Sequence, residues 1–324
     1  MSINLVVQDG VVKSPSLRYT TDGKAEFRFT LVQTENNWTL YLSCCAVGSA
    51  AERLASELEE GQHIVVTSGK LCYRKRTTKM GALTNCPIYV VHLSTQLGLE
   101  LIKRAQAEGQ RVWTESCTQY LLLSDAELGQ WGPLAKIGAP LRPAGGPNQP
   151  ALWKGLEQGY ISCVASDHAP ASQELKQPGW ENIFVGPNGA VIPFGSPGIE
   201  TLVSLMYSEG VVKREFPIWW MARALAENPA RIFGLYPRKG AIRVGADADL
   251  LILDPAPTRT IRAGEHYSKT GYSLFEGWEV HGNPWMTLLR GRVLLNQGKL
   301  EQQPGYGQFW PAGRPLPPIG GRVQ

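Results

Sequence analysis

The front of the chain alternates apolar and polar positions, a pattern that predicts β-strands. Phe27, Phe29 and Leu31 alternate with Arg28 and Thr30, which is the two-residue period of a half-buried strand. The other strand candidates in this region are residues 3–12, 39–47 and 63–73.

Residues 49–60 change from alternation to helical spacing. Ala50, Leu54 and Leu58 fall on one face of the predicted helix, and Gly61 ends it. Three strands, a helix and a further strand follow the order of an OB barrel that still lacks its last strand.

Beyond Gly81, short apolar runs alternate with helical segments. Residues 88–92 and 160–165 are typical of strands buried on both faces. Residues 97–108 are predicted to be helical and residues 111–115 to form a strand. Alternating strands and helices indicate parallel βα units. The remaining predicted elements are a loop at 182–198, helices within 217–235, short strands after residue 238 and an extended tail after residue 303.

Composition narrows the possible fold classes and partners only slightly. The chain is 43% hydrophobic and 19% charged, with a formal net charge of +4, which fits globular domains and neither requires nor excludes nucleic acid. The six cysteines lack metal-site spacing and are interpreted as reduced thiols. Neither a signal peptide nor an apolar run of membrane length is recognised, so we expect a cytoplasmic protein with no membrane partner.

Several ordered stretches of the front half resemble one family. The stretches SPSLRYTTDGKAEFRFTLVQT, WTLYLSCCAVG and AVGSAAERLASELEEGQHIVVTSGKLCYRKRTTKMG resemble the bacterial single-stranded DNA-binding proteins, from residue 2 to about Gly81. The resemblance implies an OB fold, a homo-oligomer that is usually a tetramer, and single-stranded DNA as the partner. The family's fifth strand should follow Lys79, where the sequence has already changed character.

The residue types in this stretch suit that chemistry. Single strands bind in grooves that offer positive charge to phosphates and aromatic faces to bases. The candidate contacts are Arg18, Tyr19, Trp38, Lys70, Tyr73, Arg74, Lys75, Arg76 and Lys79. Core packing is the alternative for Trp38 and Tyr73, and a solvated face is the alternative for the basic run. Interleaved aromatic and basic residues on an OB order favour binding.

The rear half resembles a different family. The similar stretches are ALTNCPIYVVHLSTQLGLELIKRAQAEGQRVWTESCTQYLLLSD, APLRP, VASDHAP, FGSPGIETLVSLMY, ENPARIFGLYPRKGAIRVGADADLLILDP and FEGWEVHGNPWMTLLRGRVLL. They are similar to the dihydropyrimidinase and D-hydantoinase family of cyclic-amide hydrolases, from about Ala82 to Gly291 or beyond. That family folds as an eight-stranded βα barrel with a small β-sandwich and holds two zinc ions at the barrel mouth.

The predicted fold class is therefore mixed. An N-terminal OB-fold β-barrel over residues 1–81 is fused to a partial α/β TIM barrel, the last three βα units, over residues 82–236. Residues 237–324 are assigned to a remnant of the small β-sandwich and the tail.

The resemblance also implies site residues. His92 would end the sixth barrel strand as a metal ligand, and Asp167 would end the eighth as a ligand and as the base that carries a proton to the leaving nitrogen. Gly138 replaces the family's usual polar substrate contact, and Pro197 and Gly198 fall where the family offers main-chain contacts to the ring.

The expected metal cage is incomplete. The family uses a His-x-His pair, a carboxylated lysine and a further histidine, all before the position of His92. None of these ligands is recognised in this chain, which has five histidines. A catalytic zinc normally takes three protein ligands and a water. We therefore expect no cofactor from this chain alone, and zinc only where a partner completes the site. Otherwise His92 is a hydrogen-bonded histidine, Asp167 a structural carboxylate, and His168 orders its loop.

Residues 87–92 suit both halves. They could be the sixth strand of the hydrolase barrel or, in the interpretation that we prefer from the sequence, the fifth strand of the OB barrel, over residues 87–93. Three functions remain open: a single-stranded DNA-binding protein with a passive or oligomerising rear half, a zinc-dependent hydrolase of hydantoins or dihydropyrimidines completed by a partner chain, and a recombination or frameshift product without a selected role.

Overall fold

The structure is a computed structural model in which the described residues are 7–19, 25–35, 38–47, 52, 56, 63–67, 70–72, 87–187, 189–301 and 305–319. They form two compact units. The front unit is Met1–Val90 with Arg104–Val112, and the rear unit is Val91–Lys103 with Trp113–Gln324.

The front unit contains one antiparallel five-stranded sheet. Its strands are β1 (Val7–Tyr19), β2 (Ala25–Glu35), β3 (Trp38–Val47), β4 (His63–Thr67) and β5 (Lys70–Cys72). They are ordered β3-β2-β1-β4-β5, so β3 and β5 are the two edges among the described strands. The predicted strands at residues 27–34 and 39–47 are confirmed, and the described part of the candidate 3–12 lies in β1. The candidate 63–73 is wrong as a single strand, because it contains two antiparallel strands, β4 and β5. Residues 52 and 56 are helical as expected. A closed OB barrel is not shown.

The first strand runs further than its sequence pattern predicts. Its pairing with β2 continues to Arg18, opposite Glu26, and to Tyr19, opposite Ala25. The predicted strand 3–12 leaves Arg18 and Tyr19 in the connection that follows it, and this prediction is wrong, because both residues belong to β1. Hydrogen bonds to β2 hold both residues in the strand, and the sequence of β1 alone does not reveal this pairing.

A second, parallel sheet has the order β6-β7-β8. Its strands are β6 (Ile88–Val90), β7 (Val112–Cys117) and β8 (Cys163–Ala165). Helix α1 (Gln96–Ala107) separates β6 from β7 in sequence, as predicted for βα units. Of the six residues of β7, all but Glu115 are buried, which explains the lack of alternation in this strand.

The position of β6 corrects our preferred interpretation of the segment 87–93. The amide of Ile88 donates to the carbonyl of Arg111 across 2.8 Å, just before β7, and β6 belongs to the parallel sheet. The segment is therefore not a strand of the five-stranded sheet. The buried β7 offers it a hydrogen-bonding edge, and helix α1 makes the crossover that a parallel pair requires.

The helices of the rear unit are short and closely connected. Those before β8 are α2 (Thr118–Leu122), α3 (Glu127–Trp131) and α4 (Asn148–Glu157), and those after it are α5 (Gln173–Lys176), α6 (Leu202–Leu205), α7 (Ile218–Ala222) and α8 (Asn228–Ile232). Helix α8 begins at Asn228 with a proline in its first turn, a position that proline favours. The fully buried Leu99, Leu152 and Leu205 mark the core of this unit.

The end of the rear unit is an antiparallel sheet ordered β12-β11-β10-β9. Its strands are β9 (Leu250–Thr260), β10 (Glu279–Leu289), β11 (Arg292–Asn296) and β12 (Lys299–Leu300). Residues 305–319 form neither helix nor strand, and the amides of Leu316 and Ile319 hydrogen-bond to Arg231 and Asn228 of α8. In the part of the chain that is described, no helix is both long and apolar enough to cross a membrane.

Candidate active site

Two parallel strands end in residues of the same unusual backbone conformation. His92 comes two residues after β6 and has φ 41°, and Asp167 comes two residues after β8 and has φ 47°. Residues other than glycine rarely adopt a positive φ, and backbone strain of this kind is often found at functional sites. Both residues therefore lie at the carboxyl edge of the sheet, where α/β enzymes place their active sites.

The carboxyl group of Asp167 lies in a partly desolvated environment. Burial raises its pKa above the ordinary value, and the charge of His92 opposes that rise. His92 itself is only 7% exposed. The two side chains therefore interact electrostatically, and the raised pKa brings the carboxyl closer to the range in which a carboxylate accepts and returns protons.

Helix α2 supplies a hydrogen-bond relay to this carboxyl. Gln119 Nε2 donates to Asp167 Oδ2 across 3.5 Å, and Thr118 Oγ1 donates to Gln119 Oε1 across 3.4 Å. Thr118 and Gln119 are both buried. The threonine hydroxyl binds the amide oxygen of Gln119, which turns the amide NH2 group towards Asp167.

The segment around Gly138 is tied to the same helix. Tyr120 Oη donates to the carbonyl of Ala139 across 3.0 Å, and burial raises the pKa of this phenol well above its usual range. Helix α2 thus holds Asp167 through one residue and the Gly138–Ala139 backbone through the next.

The loop after His92 has its own supports. Ser116 Oγ donates to the carbonyl of Leu93 across 2.8 Å. The guanidinium group of Arg142 donates to Ser94 Oγ through two nitrogens, at 3.0 and 3.2 Å. The first contact holds the backbone of Leu93, and the second holds the side chain of Ser94.

The Pro197–Gly198 segment lies beside the loop of Asp167. His168 Nδ1 accepts hydrogen bonds from the amides of Gly198 at 3.2 Å and Ile199 at 3.3 Å. A Cβ on Gly198 would come within 2.8 Å of the Ser166 carbonyl oxygen, so only glycine permits this approach. The prediction that His168 orders its loop is confirmed.

Two buried lysines were not predicted from the sequence. Lys176 is completely buried and Lys136 is 4% exposed. Lys136 Nζ donates to the carbonyl of Ile192 across 2.6 Å, and Lys176 Nζ donates to carbonyls of both Lys136 and Gly195. No motif marks such residues, because isolated lysines are usually exposed.

The residues proposed to contact single-stranded DNA are less fully described. Tyr19 is 59% exposed, and its hydroxyl donates to Glu52 across 3.1 Å, which raises the pKa of the phenol. Trp38 is the first residue of β3, and Lys70 is the first residue of β5. Tyr73, Arg74, Lys75, Arg76 and Lys79 lie outside the described residues.

The described residues offer few ligands for a catalytic metal. Among the described residues, no group of three or more His, Cys, Asp or Glu side chains could hold an ion. His92 and Asp167 are two donors, whereas a catalytic zinc normally takes three from the protein. The described residues therefore do not fit a complete zinc site.

The parallel sheet, its connecting helices and the two strand-end residues define an α/β domain. Residues 91–294 match the amidohydrolase family. The chain belongs to that family.

Individual relatives agree with this assignment. The chain is 38% identical over 224 residues to an L-hydantoinase of Paenarthrobacter aurescens, covering 69% of this chain and 47% of that protein. It is 35% identical over 243 residues to a D-hydantoinase of Geobacillus stearothermophilus, covering 72% and 49%. The solved structure of L-hydantoinase (dihydropyrimidinase) from Arthrobacter aurescens superposes with a TM-score of 0.66 at 36% identity, covering 73% of this chain and 51% of that one.

The extent of these matches matters for function. The chain spans about half the length of the curated relatives that it matches. The family match begins at residue 91, so it lends no support to the resemblance of the front half to single-stranded DNA-binding proteins.

Proposed function

We propose that the rear unit contributes the proton-transfer part of a site that hydrolyses a cyclic amide C–N bond, with hydantoins and dihydropyrimidines as the substrate class. The observation that carries this proposal is the environment of Asp167. This residue follows a parallel strand, accepts a hydrogen bond from Gln119 and interacts electrostatically with His92. The identity to hydantoinases supports the choice of substrate class.

The reaction needs a group that moves one proton. Water adds to the ring carbonyl carbon, the C–N bond breaks, and the ring nitrogen leaves with a proton that the water has lost. Asp167 would accept that proton as a carboxylate and return it to the nitrogen as a carboxylic acid, which is general acid–base catalysis by one group. A pKa raised by burial suits the return step.

The backbone around the carboxyl suits a small planar ring. Gly138 has no side chain, and the Pro197–Gly198 segment is kept beside the Asp167 loop by His168. In this proposal the two segments hold the ring through main-chain groups. The ligands beyond His92 and Asp167 come from a second chain, since the described residues do not supply a third.

The test measures ring opening of hydantoin and dihydrouracil by the purified chain, alone and mixed with a separately expressed front half of a bacterial hydantoinase barrel, with zinc added. We expect turnover only in the mixture, and we expect Asp167→Asn to lower it by about a thousandfold or more, because that variant cannot move the proton. Asp254→Asn, on β9, is the control and should retain activity. If neither substrate is opened in the mixture, the proposal fails.

A second candidate function concerns the front unit. Its antiparallel order β3-β2-β1-β4-β5 keeps β1 between β2 and β4, a pairing compatible with the OB order inferred from the sequence. This observation favours keeping single-stranded DNA binding, by an oligomer of this chain, as a candidate.

The two candidates separate in a titration. If the protein contacts phosphates, the logarithm of its affinity for a fluorescent oligothymidine should fall linearly with the logarithm of the salt concentration. An affinity that is independent of salt, or no binding at low salt, would exclude this second function. Light scattering of the same samples gives the oligomeric state.

A further inference from the structure

Lys176 uses all of its hydrogen-bonding capacity on the main chain. Its Nζ donates to the carbonyls of Leu134 at 3.1 Å and Lys136 at 3.2 Å, and to the carbonyl of Gly195. A lysine ammonium has three donors, and the three contacts occupy them. No carboxylate within the described ranges forms an ion pair with it.

Lys136 reinforces the same junction. Its Nζ donates to the carbonyl of Ile192 at 2.6 Å and lies 3.9 Å from the centroid of the Phe194 ring. The amide of Gly195 donates in return to the carbonyl of Lys136 across 3.0 Å. Residues 134–136 and 192–195 are therefore joined by two lysine side chains and by a direct backbone hydrogen bond.

Both joined segments continue into the candidate site. Gly138 follows Lys136 by two residues, and Phe194 Cδ1 lies 3.4 Å from the place that a Cβ of Gly138 would occupy. On the other side, the carbonyl of Ser196 accepts from the amide of Ala169, two residues after Asp167. In the proposed function, the distance between these two backbone segments would therefore set the width of the substrate site.

We propose that Lys176 is a positioning residue that sets the distance between residues 136–139 and residues 194–198, the two backbone segments that would hold the substrate ring. That these two segments hold a substrate rests on the proposed function. The distance that Lys176 sets between them does not depend on it. Lys176 touches no substrate. It acts through the carbonyls of Lys136 and Gly195.

An apolar side chain could fill the volume of Lys176 but could not donate hydrogen bonds to both backbone segments. Without the ammonium, buried carbonyl oxygens lose their donors and the segments lose their common attachment. The two strips would separate or exchange between arrangements, while the parallel sheet and helix α1 remain in place.

The first test follows amide hydrogen exchange by mass spectrometry in the full chain. Lys176→Met should raise exchange about tenfold or more in peptides covering residues 134–142 and 190–200, and leave residues 96–107 and 250–260 unchanged. Lys154→Met, an exposed lysine on α4, is the matched control and should change none of them. Unchanged protection at both segments in Lys176→Met would overturn the proposal.

A second variant and a second measurement guard against misfolding. If Lys176→Met does not fold, Lys176→Gln, which keeps a donor, should fold and show a smaller rise confined to the same two segments. A rise spread evenly over the chain would overturn the proposal in favour of a general structural role.

The third measurement separates this inference from the proposed function. Where the complemented protein opens hydantoin, Lys176→Gln should raise KM at least about fivefold and keep kcat within about twofold, because ring placement changes and proton transfer does not. A fall in kcat alone would contradict positioning. If the unaltered protein opens no cyclic amide, the proposed function fails and the exchange experiment still decides the role of Lys176.

Discussion

Tyr120 donates a hydrogen bond to Ala139, with its phenolic oxygen 3.0 Å from the carbonyl oxygen of that residue. The preceding residue of the same helix, Gln119, donates to Asp167. One turn of α2 therefore sets the position of the proton-transfer carboxyl and of the Gly138–Ala139 backbone together. A shift of the whole helix should therefore affect both, whereas the loss of one side chain should affect only the group that it contacts.

Tyr120→Phe removes the hydroxyl and leaves the buried carbonyl of Ala139 without its donor. The expected loss in the free energy of unfolding is about 1–3 kcal/mol, measured by urea denaturation. Tyr267→Phe is the control, because its hydroxyl also donates to a carbonyl, that of Gly298, but the side chain is 57% exposed. Water can replace that bond, so its cost should stay below about 0.5 kcal/mol. Equal losses in both variants would contradict this account.

Gln119→Leu removes the donor that orients Asp167 while keeping the buried volume similar. In the complemented hydrolysis assay, kcat should fall about tenfold or more and KM should change little, since the ring-holding backbone is intact. A circular dichroism spectrum like that of the unaltered protein is the check on folding. If the turnover rate were unchanged, the relay from Thr118 to Asp167 would have no role in proton transfer.

Much of the fold could be predicted from the sequence because its elements are local. The alternation of Phe27, Phe29 and Leu31 identifies β2, and the helix predicted at residues 97–108 is α1, Gln96–Ala107. The partner of β6 could not be predicted in this way. An apolar run of this length suits either sheet, and the choice depends on contacts with Arg111 and its neighbours, far along the chain.

The candidate site was predictable only where a resemblance pointed to it. His92, Asp167 and Gly198 were identified from the resemblance to the hydantoinase family, and their roles in catalysis remain predictions. Lys136 and Lys176 carry no motif, and the stretch at residues 182–198 gives only a loop from its glycines and prolines. Their burial follows from main-chain carbonyls that converge in three dimensions, which no periodicity of the sequence encodes.

Gly195→Ala should be among the most destabilising single changes in this unit. Gly195 has φ 101°, and a Cβ there would overlap the carbonyl oxygen of Ala169. Strain and the forced backbone shift together should cost about 3 kcal/mol or more. Gly189→Ala is the matched control: its φ is 74°, and a Cβ would meet nothing within 4 Å, so only the conformational cost of about 1–2 kcal/mol applies. Similar losses of thermal stability for the two would contradict the overlap.

Two helical glycines should respond to alanine with opposite signs. A Cβ on Gly155 of α4 would lie 2.8 Å from Leu99 Cδ2, in a fully buried region, whereas a Cβ on Gly129 of α3 would meet nothing within 4 Å. Gly155→Ala should lower the free energy of unfolding by about 1–3 kcal/mol through overpacking. Gly129→Ala should raise it by up to about 1 kcal/mol through helix propensity. Chemical denaturation of both proteins measures the difference, and a stabilised Gly155→Ala would show that Leu99 can move aside.

The stability of the chain should depend on pH through Lys176. Burial, with a smaller contribution from the charge of Lys136, lowers the pKa of Lys176 to about 8, against 10.5 for an ordinary lysine. Below pH 8 both the folded and the unfolded chain carry the proton, and the folded state bears the cost of the buried charge. Between pH 8 and 10.5 the unfolded chain binds more protons, so the free energy of unfolding rises with pH through this window, by at most about 3 kcal/mol.

Other lysines and tyrosines titrate in the same range, so the contribution of Lys176 has to be isolated by difference. Urea denaturation at intervals from pH 7.5 to 10.5 should give a smaller rise for Lys176→Met than for the unaltered chain, and Lys154→Met should follow the unaltered chain. The gap between the curves should open above pH 8, because only there does the folded state release a proton that the unfolded state keeps. Parallel curves for Lys176→Met and the unaltered chain would mean that the three carbonyls hold the ammonium charged throughout, with a pKa near that of a free lysine.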